Sequence, residues 1–265
     1  MDYHLHTVHS MDGRQTMEEL CAAMVDRGVQ EICLTEHIEP GHPGKDIDVP
    51  PVWNVWLQEI DDMRRKFPML TIRSGIEIGD NPLCREETKH LLDTLPLDFR
   101  LLSLHLVNGV DCYDNDKYFT GKSRAQAYRE YVEAKVESVL DWTDFDSVAH
   151  IGYVAKFSVY TGAERPLRYE DAPDAFDTLF RSMIGQGKCL EINTSGYGTT
   201  GDTLPHSTIV RRYIELGGEL FTFGSDSHDV KRDYADIERA KDAVRAMGGK
   251  YQACFCQRKR TLYRI

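Results

Sequence analysis

No stretch of the 265 residues carries about 18 consecutive apolar side chains, so a membrane-spanning helix is excluded. The opening residues lack a basic segment followed by an apolar one. No secretory leader is therefore expected, and the cytoplasm is the default location. Cysteine occurs in no ordered pattern: Cys21, Cys33, Cys84, Cys112, Cys189, Cys254 and Cys256 include no CxxC pair. An odd number at irregular spacing argues against a disulfide framework, and most are expected to be small buried apolar residues in a reducing compartment. Positive charge is in deficit as well. With 32 Lys and Arg against 43 Asp and Glu, the net charge is −11. That surface repels a phosphate backbone, so a nucleic-acid groove is not expected, although a local basic pocket for a small anion is compatible with it. No linker rich in Gly, Ser or Pro divides the chain, which predicts one domain over residues 1–265. The first strand is not followed by a GxGxxG turn, and no serine stands in a GxSxG context.

What is present is alternation. After an opening strand, Thr16 to Glu19 reads as a capping box ahead of Leu20, Ala23, Met24 and Arg27, with Gly28 as the stop. "EICLTEH" (31–37) reads as a second strand. A helix follows Pro50-Pro51 to about Lys66, with Trp53, Trp56, Leu57, Ile60 and Met63 on one stripe. Strands are predicted at 70–80, 99–105, 145–150, 188–196 and 219–228, separated by helices near 84–94, 123–141, 173–185 and 205–216. A last helix spans about 234–247, and the tail from Tyr251 is partly extended and expected to pack against the barrel floor or close the barrel. Seven βα units predict an α/β fold with a parallel sheet. A closed TIM-like barrel is favoured over a doubly wound open sheet because polar residues stand at nearly every strand end.

Those strand ends carry the chemistry. Alternate strand residues share a face, so Asp2, His4 and His6 in the opening "MDYHLH" are predicted to project together. His37 ends the second strand, Glu77 lies near the end of the third, His105 ends the fourth and His150 the fifth. Asp226 and His228 end the seventh, and Asp12 follows in the first loop. Six of the ten histidines fall on this pattern, while the sixth strand supplies Glu191 and Asn193. A single strand-end histidine is more often a hydrogen-bonded surface residue. Six imidazoles and three carboxylates crowded at one rim without metal would be costly to desolvate. Imidazole nitrogen and carboxylate oxygen suit Zn, Fe and Mn. Nine side chains exceed the needs of one ion; a bridging carboxylate holds two about 3.5–4 Å apart, and three ions suit nine ligands.

Taken in order, "DYHLHTVHSMDG", "LTEH", "GIEIG", "SLH", "AHIG", "EINTSG" and "GSDSH" resemble the polymerase and histidinol phosphatase (PHP) family, and more narrowly its histidinol-phosphatase branch, over nearly the whole chain. The resemblance implies a distorted (β/α)7 TIM-like barrel with three divalent metal ions (Mn, Fe or Zn) at the C-terminal ends of the strands. It implies that His4, His6, Glu77 and Asp226 hold one ion, and that Glu77 bridges to a second held also by His105 and His150. Asp12, His37 and His228 would hold the third. Some relatives have histidine at the place of Asp12; a carboxylate makes that site harder, which favours Mn or Fe. Members of that branch place an arginine soon after the segment matching "NTSG", whereas Tyr197 and Gly198 follow it here. Lys156, Arg165 and Arg168, after the fifth strand, are the candidates for the missing positive charge. Glu191 and Asn193 either meet a substrate amine or hydroxyl or hydrogen-bond the ligating imidazoles. Tyr197 and His206 are candidate pocket residues, the polar segment 157–171 is expected to form a loop over the site, and His9, His42 and His90 are expected at the surface.

Such a cluster predicts metal-dependent hydrolysis of a small phosphate monoester. Metal ions offset the charge that develops during phosphoryl transfer and lower the pKa of a bridging water towards ~7, so no protein nucleophile is needed. Asp226 or His228 is the candidate to orient that water or protonate the leaving oxygen. By resemblance, the substrate is L-histidinol phosphate and the products are L-histidinol and inorganic phosphate, a step of histidine biosynthesis. Two alternatives remain: a nuclease or phosphodiesterase, which the acidic balance disfavours, and a C–N or C–O hydrolase using the same metal-activated water. Neither a nucleic acid nor a membrane is expected as a partner.

Overall fold

The computed structural model describes residues 1–44, 51–231 and 234–265. Its strands are β1 (Asp2–Leu5), β2 (Glu31–Ile38), β3 (Thr71–Gly79), β4 (Phe99–Ser103), β5 (Leu106–Val107), β6 (Val110–Asp111), β7 (Ser147–Val148), β8 (Cys189–Asn193), β9 (Leu220–Gly224), β10 (Tyr251–Cys256) and β11 (Lys259–Arg264). Nine of them form one sheet in the order β1-β2-β3-β4-β7-β8-β9-β10-β11, and β5 and β6 pair only with each other. Neighbours from β1 to β10 are parallel, and β11 turns back antiparallel on β10. The predicted alternation is therefore realised as a mostly parallel α/β sheet. The helices are α1 (Met17–Asp26), α2 (Trp53–Lys66), α3 (Arg85–Thr94), α4 (Asn115–Phe119), α5 (Arg124–Asp141), α6 (Tyr153–Lys156), α7 (Pro173–Gly185), α8 (Ser207–Glu215) and α9 (Ala235–Ala246). No helix among the described residues is long and apolar enough to cross a membrane.

Local chemistry explains the helix boundaries. Thr16 caps α1, its hydroxyl accepting from Glu19 N–H while the Glu19 carboxylate accepts from Thr16 N–H. Ser123 and Gln126 do the same for α5, and Pro173 occupies the first position of α7, where no N–H is needed. The apolar stripes pack inward: Trp56, Ile60 and Met63 of α2 and Phe176, Leu179, Phe180 and Met183 of α7 join Ile72, Ile76, Leu190 and Ile192 of the sheet. Every residue of β2 is buried, as expected of a parallel strand covered on both faces. A smaller cluster of Tyr3, Cys33, Phe99, Leu101, Cys189 and Phe255 gathers residues from five strands, with Tyr3 edge-on to Phe99 at 5.2 Å.

Some expectations are corrected. Asp2 does not project with His4 and His6. Asp2 and Leu5, three residues apart, stand opposite Ile32 and Leu34, which are two apart, so β1 carries one extra residue. Such a bulge breaks the alternation of faces. The Asp2 carboxylate instead accepts from the backbone N–H of His4 and Ser225, at 3.2 and 3.0 Å. The fifth strand shrinks to β7, although Asp146 N–H and Ala149 N–H still bond to the β4 carbonyls of Arg100 and Leu102. The tail is a hairpin added to β9. The helix expected after Pro50-Pro51 begins at Trp53, and Pro50 lies outside the described residues. Cys21, Cys33, Cys112, Cys189 and Cys254 are buried free thiols.

Candidate metal centre

The chain beyond β9 runs back beside β1. His6 N–H donates to Ser227 O at 3.0 Å and Asp226 N–H to His4 O at 2.9 Å, which sets Asp226 and His228 against His4 and His6. All nine residues predicted to bind metal meet at this rim. Glu77, fully buried on β3, lies at its centre. Its Oε2 is 3.2 Å from His4 Nε2, 3.4 Å from His6 Nε2 and 3.0 Å from His37 Nδ1. Its Oε1 is 3.4 Å from His105 Nε2 and 2.7 Å from His150 Nε2. Asp226 Oδ1 is 3.7 Å from the Nε2 atoms of both His4 and His6. Asp12, exposed in the first loop, reaches His228 Nε2 at 3.0 Å and His37 Nε2 at 3.6 Å. Four overlapping triads have donor atoms within 4.8 Å of one another: His6/His37/His228, His4/His6/Asp226, His4/Glu77/His150 and His37/Glu77/His105.

The surrounding hydrogen bonds place the imidazole protons. His4 Nδ1 lies 2.6 Å from Glu191 Oε1, and His105 Nδ1 lies 2.6 Å from Glu39 Oε1. A carboxylate accepts, so Nδ1 carries a proton in each ring and Nε2 is the nitrogen left to face the rim. His228 donates likewise to the Asp226 carbonyl at 3.0 Å. His6 Nδ1 faces Ser10 Oγ at 3.3 Å, and that hydroxyl is already donated to Glu36. The Nε2 atoms of His4, His6 and His228, with His37 Nδ1 and Glu77 Oε2, are buried and form no hydrogen bond. They lie near one another at unsuitable angles, facing a shared space instead of pairing. Buried polar atoms without partners are costly, and imidazole nitrogens and carboxylate oxygens grouped in this way fit divalent cations, which bind them in place of protons.

Two strand glycines make room for these supports. A Cβ on Gly79 would sit 1.9 Å from Glu39 Oε2, and one on Gly224 would sit 2.4 Å from His4 Cβ and 2.6 Å from Glu191 Oε1. Asp226 itself adopts φ 54°, a left-handed conformation uncommon outside glycine and tolerated by Asp. The electrostatics are polarised. Burial opposes ionisation of Glu77, but His4 and His37 hold its carboxyl well below the usual range. Burial likewise opposes ionisation of Asp226, and Lys156 and His4 keep it low. His6, buried and beside His228 and His37, has its basicity lowered.

A cavity of about 510 Å³ opens onto the rim. Lys156 lines it and donates to Asp226 Oδ2 at 2.9 Å. Arg165 and Arg168 do not line it. Arg165 donates to the carbonyls of Ser158, Tyr160 and Thr199 and Arg168 to that of Ala163, so both tie down the segment in which they stand. Tyr197 lies under Arg239, 3.9 Å from its ring centroid, and His206 caps α8; neither reaches the cavity. Glu191 accepts from His4, and Asn193 Nδ2 donates to the other Glu191 oxygen at 3.2 Å; neither residue lines the cavity. The sequence reading missed Arg14, Glu39, His42, Asp111 and Tyr153, all of which line the cavity. His42, expected at the surface, is buried against Asp111. The readable signal was Asn108-Gly109, a hairpin turn flanked by apolar residues that projects Asp111 from β6.

Comparisons with known proteins point the same way. The model of the PHP domain family matches residues 2–195. The histidinol-phosphatase of Lactococcus lactis is 28% identical, over 96% of this chain and 94% of that protein. A probable histidinol-phosphatase of Clostridium acetobutylicum is 30% identical over 86% of each. Among solved structures, the Lactococcus lactis histidinol phosphate phosphatase complexed with zinc, L-histidinol and phosphate superposes with a TM-score of 0.91 over 98% of each chain, at 28% identity. A putative histidinol phosphatase from Listeria monocytogenes shares the fold, with a TM-score of 0.73 at 20% identity over 91% of this chain and 98% of that one.

Proposed function

The chain belongs to the PHP family, and from that premise we propose that it hydrolyses a small phosphate monoester, L-histidinol phosphate, to L-histidinol and inorganic phosphate. The observation that carries the reading is Glu77, with five imidazoles around its two oxygens, three of which (His4, His6 and His37) turn a buried nitrogen without a hydrogen-bond partner towards it. We assign three divalent ions to this rim: one to His4, His6, Glu77 and Asp226, one to Glu77, His105 and His150, and one to Asp12, His37 and His228. Zinc, manganese and iron all suit this donor set. Bound there, such ions supply the positive charge that draws in a phosphate dianion and ionises water at neutral pH.

The remaining work falls to the chain's own groups. Glu191 and Glu39 keep the protons of His4 and His105 on Nδ1, so that each Nε2 points inward. We assign orientation of the attacking water to Asp226, whose other oxygen is held by Lys156 and Ser195. His228 is the group we place next to the leaving oxygen. Lys156 and Arg14, the Lys and Arg residues lining the cavity among the described residues, are the cations available to the phosphate. A cavity of about 510 Å³ suits a small molecule. We also read the chain as one domain over residues 1–265 and its sheet as a distorted barrel, a reading supported by the parallel bridge between Leu5 and Ser227.

The test is phosphate release from L-histidinol phosphate by protein loaded with zinc or manganese, beside a panel of sugar and nucleotide monoesters. Release that chelation abolishes and added metal restores is expected. No release from any monoester would sink the reading, and faster cleavage of a diester would replace it with a phosphodiesterase.

A further inference from the structure

One wall of the cavity bears a carboxylate that hydrolysis of the phosphate does not use. Asp111 lines the cavity at the end of the β5–β6 hairpin. Its Oδ1 accepts from Tyr113 N–H at 2.8 Å and from the Tyr153 hydroxyl at 3.4 Å. Its Oδ2 lies 3.0 Å from His42 Nε2. His42 Nδ1 accepts from Gly44 N–H at 3.0 Å, so the ring's proton sits on Nε2 and is donated to Asp111. That arrangement is a neutral imidazole on a carboxylate, and it leaves the negative charge uncompensated. No Lys or Arg among the described residues forms an ion pair with Asp111. Tyr113 packs edge-on against Phe157 at 4.8 Å and Tyr153 against the same ring at 4.9 Å, and all three rings line the cavity. A fixed carboxylate among aromatic rings suits an organic cation, which gains from the charge and from the ring faces together.

We propose that Asp111 is a specificity-determining residue that reads a positive charge on the alcohol half of the substrate. It would select monoesters whose leaving group carries an ammonium or a protonated nitrogen heterocycle. The proposal deepens the phosphomonoesterase reading above and rests on it for the phosphate half only.

The test compares metal-loaded wild-type protein with Asp111→Asn, which keeps an acceptor for Tyr113 N–H and removes the charge. The selectivity for L-histidinol phosphate over 4-nitrophenyl phosphate, as a ratio of kcat/KM values, is expected to fall roughly 10–100-fold, mainly through KM, the size expected for one charged hydrogen bond. Calorimetric titration with L-histidinol alone is expected to show affinity weakened by a similar factor. An unchanged ratio, with both esters falling together or neither falling, overturns the proposal. Should Asp111→Asn fail to fold, Tyr113→Leu, at the exposed rim, is measured on the same pair, with the same loss of selectivity expected. If the wild type hydrolyses neither ester, the phosphomonoesterase reading fails, and the L-histidinol titration still decides this proposal. Binding by the wild type that the variant loses upholds it; equal binding, or none by the wild type, overturns it.

Discussion

At the scale of single residues, the centre depends on which nitrogen of each ring holds its proton. Glu191 fixes His4 from one oxygen and accepts His150 N–H with the other at 2.6 Å, so one side chain orients two candidate ligands. Glu191→Gln puts an amide group where a carboxylate stood and lets His4 reverse its tautomer. Metal affinity is expected to fall about 10–100-fold, read by competition with a chromophoric chelator, with the circular dichroism spectrum unchanged. Affinity within twofold of wild type would show that Glu191 does not position the ring. The candidate ligands other than Asp12, which lies in the first loop, were legible in the sequence because each stands near or beyond a strand end. Glu39 and Asp111 were not, because their roles depend on partners far along the chain: His105 lies 66 residues from Glu39, and His42 lies 69 from Asp111. Arg165 and Arg168 were legible as charges but not as braces, since only the fold brings backbone carbonyls to them.

At the scale of elements, legibility followed the strength of the local code. The capped helices α1 and α5 and the proline-started α7 were readable in position and extent because their first turns carry their own hydrogen-bond partners. The β10–β11 turn was not. It places Gln257 and Arg258 at φ 48° and 63°, a conformation usually given to Asn or Gly, and pays for it with long-range contacts. Gln257 N–H donates to Asp98 Oδ1 at 2.8 Å, and Arg258 Nε donates to Asp146 at 2.6 Å. The β1 bulge was hidden for a similar reason, since it exists only against the register of β2. Helix α5 carries a further element-scale consequence. Its Lys135 is fully buried, with one contact of 3.4 Å to Leu102 O, and burial pushes its ammonium down to about 8. The unfolded chain holds that proton to about pH 10.4. Between those values the unfolded state binds more protons, so this group makes stability rise with pH over that window. Lys135→Met is expected to stabilise the metal-free protein by roughly 1–3 kcal/mol near pH 7, with the gain shrinking from pH 8 to 10. Urea unfolding midpoints across that range check it, and a destabilised variant at pH 7 would show that the amine contributes more than its burial costs.

At the scale of the whole molecule, the parallel order was legible because consecutive strands can lie parallel as neighbours only when a crossover, usually a helix, joins them. Its consequence is that chain segments far apart deliver charge to one small volume. Glu77 and Asp226 are buried there with His4, His6, His105 and His150, in a chain whose net charge is already −11. Folding must desolvate those groups, and the unfolded chain cannot gather them, so ions that bind the assembled rim bind the native state alone. By linkage, one site at a free concentration 100 times its dissociation constant adds about 2.7 kcal/mol. For a chain of this size that raises the melting temperature by roughly 5–10 °C. Protein melted in chelator and again with excess zinc or manganese is therefore expected to differ by at least that much, and by more if further sites fill. Sodium chloride at matched ionic strength screens surface repulsion without occupying the rim, so it should reproduce only a minor part of the rise. A melting temperature that ignores divalent ions, or that sodium chloride raises equally, would mean that no native-state metal centre forms from these nine residues.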